Sequence, residues 1–400
     1  MARVDTVVIG LGVMGSAALR SLAARGVRVL GIERFEPGHD RGSSHGATRI
    51  IRLSYFEHPS YVRLLHEAYP LWRELEAKAG RKLLHITGIV EIGTPDSALV
   101  RGTLAAAREH ALPHDVLDAA ELMRRHPAFR VPGEFIAVAQ PDGGFVEAEP
   151  TLAAQIALAR AAGAEIRTNT TVRAIEPRQD GVRVVTDSDA IDAATVVVAA
   201  GARISKLLPD LPVRLRATRQ VLAWFEPQQP DLFDPARCPV FLIEGPHGTH
   251  YGFPLQPGGG VKVAKHHHFE EVVDPDDYDR NVSSSDEAAI RAAVADYLPA
   301  ANGQLKSATT CLYTMAPDGD FIIDTLPGEP RIIVASPCSG HGFKFAPLIG
   351  EVVAELATSG ATTRDIARFR LGRFKASLGG IPDGRQGPFV TQYSPTTNNG

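Results

Sequence analysis

The chain has 400 residues, of which 44% are hydrophobic and 22% charged, and its formal net charge is −4. These values are typical of a soluble globular protein with enough core for two domains, and they give no reason to expect nucleic acid or an anionic membrane as a partner. The sequence holds three cysteines, no apolar run of membrane-spanning length and no room for a signal peptide before its first strand. We therefore expect a cytoplasmic protein without a disulfide framework or a membrane span.

The N-terminal stretch has the order strand, glycine-rich turn, helix and strand. It consists of an apolar run, the triplet Gly10-x-Gly12-x-x-Gly15, an Ala- and Leu-rich segment, a second apolar run and the acid Glu33. Gly10 allows a tight exit from the strand, Gly12 lets a pyrophosphate approach the backbone, and Gly15 lets helix and strand pack closely. Glu33 is placed to accept hydrogen bonds from ribose hydroxyls. The pattern predicts a dinucleotide site and does not distinguish NAD from FAD.

The next stretch, residues 41–52, is rich in glycine and small hydroxyl residues and contains His45, Arg49 and Arg52. Small residues let the backbone pass close to a ligand. Arginines near a nucleotide-binding turn can hold a carboxylate or a phosphate through paired hydrogen bonds. The alternative is a solvated loop whose arginines pair with surface acids.

Hydrophobic periodicity and turn residues predict the elements that follow. The predicted helices cover residues 60–79, 97–127 (two helices with a boundary at Pro113), 151–162, 285–298 and 347–358. The predicted strands cover residues 86–92, 165–168, 172–176, 182–186, 194–199, 216–225, 239–244, 261–263, 321–324 and 332–335. The run 194–199 is wholly apolar, which indicates a return to a central parallel sheet.

Sheet-forming runs at the start, the middle and near the end of the chain predict an α/β fold, α+β overall. A Rossmann-like dinucleotide-binding domain is built from three segments, and an antiparallel-sheet substrate domain is inserted in two. The first domain takes residues 1–85, 141–215 and 318–378, the second takes 86–140 and 216–317, and residues 379–400 form a flexible tail.

Four blocks of the sequence carry a resemblance to a known family. They are the glycine fingerprint, residues 42–52, Tyr251-Gly-Phe-Pro with Lys262, and Cys311-x-Tyr-Thr…Asp318-x-x-Phe-Ile-Ile-Asp324 with Ser339-Gly-His-Gly-Phe-Lys-Phe345. Together they resemble the monomeric sarcosine oxidase and N-methyltryptophan oxidase family, which are FAD-dependent amine oxidases of the D-amino acid oxidase-like superfamily. The resemblance extends to about residue 375, and it implies FAD as the cofactor.

The resemblance also implies roles for individual residues. It implies that FAD is attached covalently, as an 8α-S-cysteinyl thioether, through Cys311. It further implies that Arg49 and His45 lie beside the flavin, that Arg52 and Lys344 bind the substrate carboxylate, and that Lys262 supports the reaction with oxygen. Tyr251 and His266 are implied to line the substrate cavity. The residues implied to contribute to the FAD site are Ser43, Ser44, Val172, Gly340, Gly342 and Lys344.

The sequence departs from the family pattern at several positions. Ala47 replaces an acid near Arg49, and Cys338 stands where the family often has an aromatic residue. Lys265 and the run 266–268, three histidines, replace a stretch with one aromatic residue and one histidine. The alternating side chains of a strand argue against chelation of one metal by all three, so we expect no metal site. Which of the three faces the cavity is left open.

The implied reaction is oxidation of the C–N bond of an N-methyl or other secondary amino acid to an imine. A hydride passes to flavin N5, and O2 is reduced to H2O2. Alternative substrates are N-methyltryptophan, cyclic imino acids such as proline and pipecolate, and fructosyl amino acids. Alternatives of other classes are a flavin dehydrogenase that passes electrons to a protein or quinone, and a non-catalytic nicotinamide-binding protein. We expect a monomer whose partners are a small secondary amine with a carboxylate and O2, with no nucleic acid or membrane.

Overall fold

The structure is a computed structural model, and it describes residues 4–256 and 259–377. The predicted tail, residues 379–400, lies outside the described residues. In chain order the elements are β1 (Val4–Ile9), α1 (Val13–Ala24), β2 (Val29–Ile32), β3 (Thr48–Ile51), α2 (Tyr61–Ala79), β4 (Leu84–Ile86), β5 (Ile89–Gly93), α3 (Ala98–Glu109), β6 (Asp115–Asp118), α4 (Ala119–Arg125), β7 (Ile136–Gln140), β8 (Gly144–Glu147), α5 (Ala148–Ala161), β9 (Glu165–Arg167), β10 (Val172–Arg178), β11 (Gly181–Thr186), β12 (Ala190–Val198), α6 (Ile204–Leu207), β13 (Arg216–Phe225), β14 (Val240–Gly245), β15 (Gly248–Gly252), β16 (Val261–Lys265), α7 (Ser284–Tyr297), β17 (Leu305–Met315), β18 (Ile322–Leu326), β19 (Glu329–Ser336) and α8 (Ala346–Ser359).

The first large sheet contains the predicted parallel core. Its main path runs β10-β11-β12-β1-β2-β9, and β19 pairs with both β12 and β18. β1 is parallel to β2 and β12, and β12 is parallel to β19. Val8, Val197 and Ile333 pack with residues of α1, α2, α5 and α8, while Val7 and Val196 belong to a second core on the opposite face. Because both faces are covered, the central strands are continuous apolar runs.

The second large sheet is mostly antiparallel. Its order is β17-β13-β16-β15-β14-β5-β7-β6, and only the β5–β14 pair among its described pairs is parallel. On β16, Val261 and Val263 enter a core with residues of α7, so Lys262 projects from the opposite face. A small third sheet, in the order β3-β8-β4, joins residues near the cavity described below.

The predicted α/β fold with a Rossmann-like unit is confirmed. All strands of the first sheet fall within the ranges assigned to the dinucleotide-binding domain, and all strands of the second fall within those assigned to the substrate domain. The division of the chain into two domains stays a prediction, since the sheets describe strand pairing and not independent units.

Three predicted elements differ from the structure. Residues 97–127 hold two helices as expected, but the short strand β6 lies between them and pairs with β7. The predicted strand 86–92 is broken at Gly88, whose φ of 74° turns the chain from the small sheet into β5. Part of the stretch at residues 41–52, for which no strand is predicted, is the strand β3, paired with β8. Each of these strands depends on a partner that its local sequence does not reveal.

Within the described residues, no helix combines the length and the apolar composition needed to cross a membrane.

Candidate active site

One cavity is lined by residues from both large sheets. The turn between β1 and α1 forms part of its wall, and residues of β14, β15 and β17 form another part. Fourteen of the predicted site residues line it: Gly10, Gly12, Glu33, Ser43, Ser44, Arg49, Arg52, Val172, Tyr251, His266, Cys311, Gly340, Gly342 and Lys344. Gly15, His45 and Lys262 are not part of the lining: Gly15 packs against Gly10, the His45 carbonyl accepts a hydrogen bond from Arg49, and Lys262 donates to the carbonyls of Gly46 and Thr48.

The glycine turn has the geometry expected for each of its three positions. Gly10 has a φ of 87°, and its N–H donates to the Ile32 carbonyl at 2.8 Å. A Cβ on Gly15 would lie 1.8 Å from the Gly10 carbonyl oxygen, so helix and strand are in close contact there. A Cβ on Gly12 would have the Ser44 hydroxyl as its nearest neighbour, at 3.1 Å. The backbone at Gly12 is thus open to the cavity, which suits the approach of a phosphate.

Glu33 is buried at the end of β2 and supports the same turn. Its carboxylate accepts hydrogen bonds from the Leu11 N–H at 2.7 Å and the Phe35 N–H at 3.2 Å, and His39 Nε2 lies 3.5 Å away. Burial opposes ionisation, but these hydrogen bonds outweigh it and hold the pKa of Glu33 below its usual value. The predicted ribose acceptor is therefore an ionised side chain that also fixes the glycine turn.

Buried polar atoms without partners show that the cavity suits a polar cofactor. Four of them belong to lining residues: Tyr278 Oη, Arg280 Nε, Thr314 Oγ1 and Ser336 Oγ have no hydrogen-bond partner among the described residues. Buried donors and acceptors of this kind normally have partners. Together with the open backbone at Gly12, they fit a dinucleotide that would supply those partners.

Two cations, Arg49 and Lys262, are held by backbone carbonyls next to this cavity. Arg49 donates to the carbonyls of Ser43 (2.9 Å), His45 (2.6 Å) and Thr48 (2.8 Å). Lys262 is fully buried, and its Nζ donates to the carbonyls of Gly46 (2.6 Å) and Thr48 (2.8 Å). Burial and repulsion by Arg49 place the pKa of Lys262 well below its usual value. The same two influences lower the pKa of His45 to about 4, so this histidine is neutral at pH 7.

The backbone at Ala47 is stabilised by an acid from another element. Ala47 has a φ of 66°, and its N–H donates to Glu149 at 3.0 Å. The neighbouring Gly46 N–H donates to the same carboxylate at 2.6 Å. Glu149, in the first turn of α5, thus stabilises the turn that presents the Gly46 and Thr48 carbonyls to Lys262.

Cys311 lies on β17 in a small apolar cluster with Leu222 and Ala264, and its side chain is almost completely buried. Burial raises the pKa of its thiol, and the nearby charges of Arg49 and Lys262 act in the opposite direction. Cys338 lines the same cavity, and its Sγ accepts a hydrogen bond from the Thr314 N–H at 3.3 Å.

The structure separates the three consecutive histidines. His266 lines the cavity, and its Nδ1 lies 3.3 Å from the Tyr313 hydroxyl. His267 has a φ of 55° and packs on His266 with ring centroids 3.9 Å apart. His268 points away and pairs with Asp286 at 2.7 Å. Among the described residues, no group of three or more His, Cys, Asp or Glu side chains is arranged to hold a metal ion.

Arg52 and Lys344 come from distant segments and meet at Tyr55. The Arg52 guanidinium lies 4.8 Å from the Tyr55 ring centroid and Lys344 Nζ lies 5.0 Å from it. Lys344 Nζ also donates to the His341 carbonyl at 2.7 Å. Burial, followed by repulsion from Arg52, lowers the pKa of Lys344 to about 7. These two cations can act on one anion in the cavity.

Two acids that sequence reasoning missed contact Arg52. Glu57 Oε2 accepts a hydrogen bond from Arg52 Nη2 at 2.5 Å, and Glu91 Oε1 lies 3.2 Å from Arg52 Nε. Glu91 is fully buried on β5, and burial raises its pKa to about 7. A signal for it exists in the sequence, because a single acid interrupts the apolar strand Ile89-Val-Glu-Ile92. For Glu57, which follows β3 in an irregular segment, we find no such signal.

Comparison with known proteins identifies a family and several similar proteins. A family model described as "DAO: FAD dependent oxidoreductase" matches residues 5–356. The chain is similar to the monomeric sarcosine oxidase of Streptomyces avermitilis, with 41% identity over 93% of this chain and 98% of that protein. It is also similar to the N-methyl-L-tryptophan oxidase of Yersinia pestis, with 37% identity over 93% of this chain and 99% of that protein. Among solved structures, NikD, described as an unusual amino acid oxidase essential for nikkomycin biosynthesis, matches with a TM-score of 0.83 and 29% identity over 92% of this chain and 98% of that chain.

Proposed function

The chain belongs to the DAO family of FAD-dependent oxidoreductases, and from this premise we propose that it oxidises secondary amino acids of the sarcosine type with O2 as the electron acceptor. The observation that carries the proposal is the meeting of Arg52 and Lys344 at Tyr55, in the cavity that also contains the dinucleotide turn. Two cations close together in the lining of the cavity suit a substrate with a carboxylate. Its relatives named sarcosine oxidase and N-methyl-L-tryptophan oxidase support the same class.

FAD, when bound, would supply the redox chemistry for oxidation of the C–N bond of the amine to an imine, with O2 reduced to H2O2. The residues that would hold it are those of the glycine turn, Glu33, Ser43, Ser44 and Val172, with Gly340, Gly342 and Lys344 across the cavity. Cys311, which the resemblance implies as the covalent attachment point, is buried in the lining of the same cavity, and this supports the proposal that it would attach FAD.

The protein's own contribution is orientation and charge. Arg52 and Lys344 bind the carboxylate of the substrate, which fixes the amine end toward the interior. Burial keeps His266 neutral, because it lowers the pKa of this side chain well below its usual value. Tyr313, whose pKa is raised by burial, keeps its proton. Burial therefore leaves both groups uncharged in the lining of the cavity. Lys262 would provide the charge that favours electron transfer to O2.

A peroxide-coupled assay tests the proposal. The purified protein is expected to show a flavin absorbance spectrum and to release H2O2 with sarcosine. N-methyltryptophan, proline, pipecolate and fructosyl-valine are assayed in parallel, since Arg52 and Lys344 would bind the carboxylate of any of them. A colourless protein would contradict the assignment of the cofactor. A coloured protein that is reduced by sarcosine but releases no peroxide would indicate a dehydrogenase instead.

We also propose that the enzyme is a monomer in the cytoplasm. None of the three cysteines forms a disulfide, two of them being buried and Cys338 half-buried, as is usual in a reducing compartment. Sedimentation of the holoenzyme at micromolar concentration is expected to give the mass of a single chain, 42.9 kDa.

A further inference from the structure

Glu91 is a carboxylate placed in the interior of a sheet. Its neighbours along β5, Val90 and Ile92, enter the apolar core of the second sheet, and its own side chain lies on the opposite face. Across the sheet its register partners are Val138 and Leu242. The residue is 0% exposed, and neither carboxylate oxygen has a hydrogen-bond partner among the described residues. A buried acid in this condition calls for an explanation by function.

Its charged neighbour is the predicted substrate anchor. Arg52 Nε lies 3.2 Å from Glu91 Oε1, while Arg52 Nη2 donates to Glu57 at 2.5 Å and Nε donates to the Ser54 carbonyl at 3.1 Å. One guanidinium thus faces two carboxylates before any substrate carboxylate is bound.

The two carboxylates differ in their access to the cavity. Glu57 is half-buried and lines it, so a substrate carboxylate can take its place on Arg52. Glu91 is fully buried on a central strand and is not part of the lining, so it stays beside Arg52 whichever anion occupies the cavity. Its charge therefore acts on the bound substrate as well as on the free enzyme.

We propose that Glu91 is a specificity-determining residue, a fixed counter-ion that competes with the substrate carboxylate for Arg52 and thereby sets the affinity of the site for carboxylates. The proposal rests on the function proposed above, in which Arg52 binds that carboxylate. Nothing in the apolar packing of β5 requires an acid at this position, because Val138 and Leu242 would pack equally well against an aliphatic side chain.

The competition depends on pH. The polar and charged groups that face Glu91 are Arg52 and Glu57 from the segment after β3, Thr103 from α3, and Lys344 from the turn before α8. Because burial raises the pKa of Glu91 to about 7, this acid is neutral at pH 5.5 and ionised at pH 9. Lys344, whose pKa is also about 7, loses its positive charge over the same range. The affinity of the site for carboxylates should therefore fall as pH rises, because Glu91 gains a negative charge and Lys344 loses a positive one. Glu91→Gln removes the first of these two causes.

The test is a titration of the holoenzyme with acetate, a carboxylate without an amine, followed by the flavin absorbance between pH 5.5 and 9. At pH 5.5 the wild type and Glu91→Gln should bind acetate within twofold of each other, since the acid is then neutral in both. At pH 9 the variant should bind about tenfold more tightly, as expected for removal of one partly screened charge near the anion. With sarcosine at pH 9, the KM of the variant should fall in proportion while kcat stays within twofold.

Glu244→Gln is the matched control. Glu244 lies on the adjacent strand β14, accepts a hydrogen bond from the Leu99 N–H at 2.7 Å and is not part of the cavity lining. Its acetate affinity should follow that of the wild type at every pH. Glu91→Leu, which also removes the charge and suits the apolar neighbours, serves as a second variant if Glu91→Gln does not fold.

Equal acetate affinity in the wild type and the Glu91 variants at pH 9, with loss of binding in Arg52→Met, would overturn the role of Glu91 alone. Unchanged acetate binding in Arg52→Met would instead overturn the role of Arg52 and, with it, this inference. The same gain at pH 9 in Glu244→Gln would overturn it as well, because the effect would then not be specific to the acid beside Arg52.

Discussion

At the scale of single residues, Lys262 offers the sharpest test of the oxidase proposal. Its Nζ is fully buried and donates to two backbone carbonyls, and Met can fill the same space without the charge. We expect Lys262→Met to slow reoxidation of the reduced flavin by O2 about 100-fold or more, the usual effect of losing one buried electrostatic group. Anaerobic reduction by sarcosine should change by less than about fivefold. Stopped-flow absorbance separates the two half-reactions, and equal slowing of both would refute this role.

The pH dependence of reoxidation follows from the same residue. Burial and Arg49 lower the pKa of Lys262 well below its usual value, so its positive charge is present at low pH and is lost as pH rises through this lowered pKa. The reoxidation rate of the wild type should accordingly fall with rising pH, and that of Lys262→Met should not. A wild-type rate that increases with pH would contradict this assignment.

Cys311 gives a second residue-scale prediction. Its side chain is almost completely buried in the cavity wall, and we propose it as the covalent attachment point of FAD. Acid precipitation of the wild type should leave the yellow colour in the pellet, whereas Cys311→Ala should release it into the supernatant. Cys238→Ala is the control, because Cys238 is also fully buried but belongs to the core of the second sheet. Colour retained in the Cys311→Ala pellet would mean that another residue holds the flavin.

Residues that act through the backbone or a motif could be predicted from the sequence, whereas the partners of residues that act as counter-charges could not. The spacing of Gly10, Gly12 and Gly15 predicts the geometry of the turn, because each of the three positions requires a residue without a side chain. Glu149, by contrast, stabilises the turn at Gly46 from more than a hundred residues away. Glu57 and Glu91 act as counter-charges only because folding brings both to Arg52. The fold in three dimensions decides which residue a charged side chain pairs with, and hydrophobic periodicity does not indicate that partner.

At the scale of elements, the close contact between β1 and α1 predicts a strong effect of one methyl group. A Cβ on Gly15 would lie 1.8 Å from the Gly10 carbonyl oxygen, a backbone atom that cannot move without displacing the turn. We expect Gly15→Ala to destabilise the protein by about 2–3 kcal/mol, as overpacking does, and to lower its FAD content. Gly133→Ala is the control, since a Cβ there has no neighbour within 4 Å. Thermal unfolding and the ratio of flavin to protein absorbance measure both effects, and an unchanged Gly15→Ala would contradict the packing described.

The helices and strands differ in how clearly the local sequence predicts them. Helix α2 was predictable over its whole length, because a stripe that includes Leu64, Leu65 and Trp72 returns every three or four residues and is buried. Strands β3 and β6 have four residues each and are stabilised by pairing with β8 and β7. So short a segment contains too little periodicity to identify a strand. For the same reason the small sheet that presents Arg49 to the cavity was absent from the predicted architecture.

At the scale of the whole molecule, the site exists because two sheets are joined along one cavity. The first sheet contributes the dinucleotide turn and the segment of Lys344, and the second contributes Tyr251 and Cys311 to the lining, with Lys262 buried next to it. The parallel core of the first sheet could be predicted because its central strands are continuous apolar runs. The order of the second sheet could not, since β5, β14 and β17 come from segments separated by long stretches of chain.

Ion pairs between the two parts of the chain give a prediction at this scale. Asp276, in the segment after β16, contacts Arg34 after β2 at 2.6 Å and Lys206 on α6 at 2.9 Å, and it also pairs with Arg203. Burial opposes ionisation of Asp276, but these three cations lower its pKa to about 2. Because this pKa is lower than in the unfolded chain, the stabilisation is complete above about pH 4. It is lost only as pH falls toward 2.

Asp276→Asn should therefore lower the melting temperature by a constant amount between pH 5 and 8. Partly exposed pairs are weak, and three of them on one carboxylate correspond to about 1–2 kcal/mol, or about 1–3 °C for a chain of this size. The difference should shrink in 1 M NaCl, because salt screens exposed charges. Asp115→Asn is the control: Asp115 pairs with Arg125 within the second-sheet segment, its side chain is 63% exposed, and its loss should change the melting temperature by less than 1 °C. Equal shifts in the two variants would mean that the contact between the two parts of the chain rests on apolar packing and not on Asp276. A difference that grows as pH rises from 5 to 8 would mean that a group other than this carboxylate is titrating.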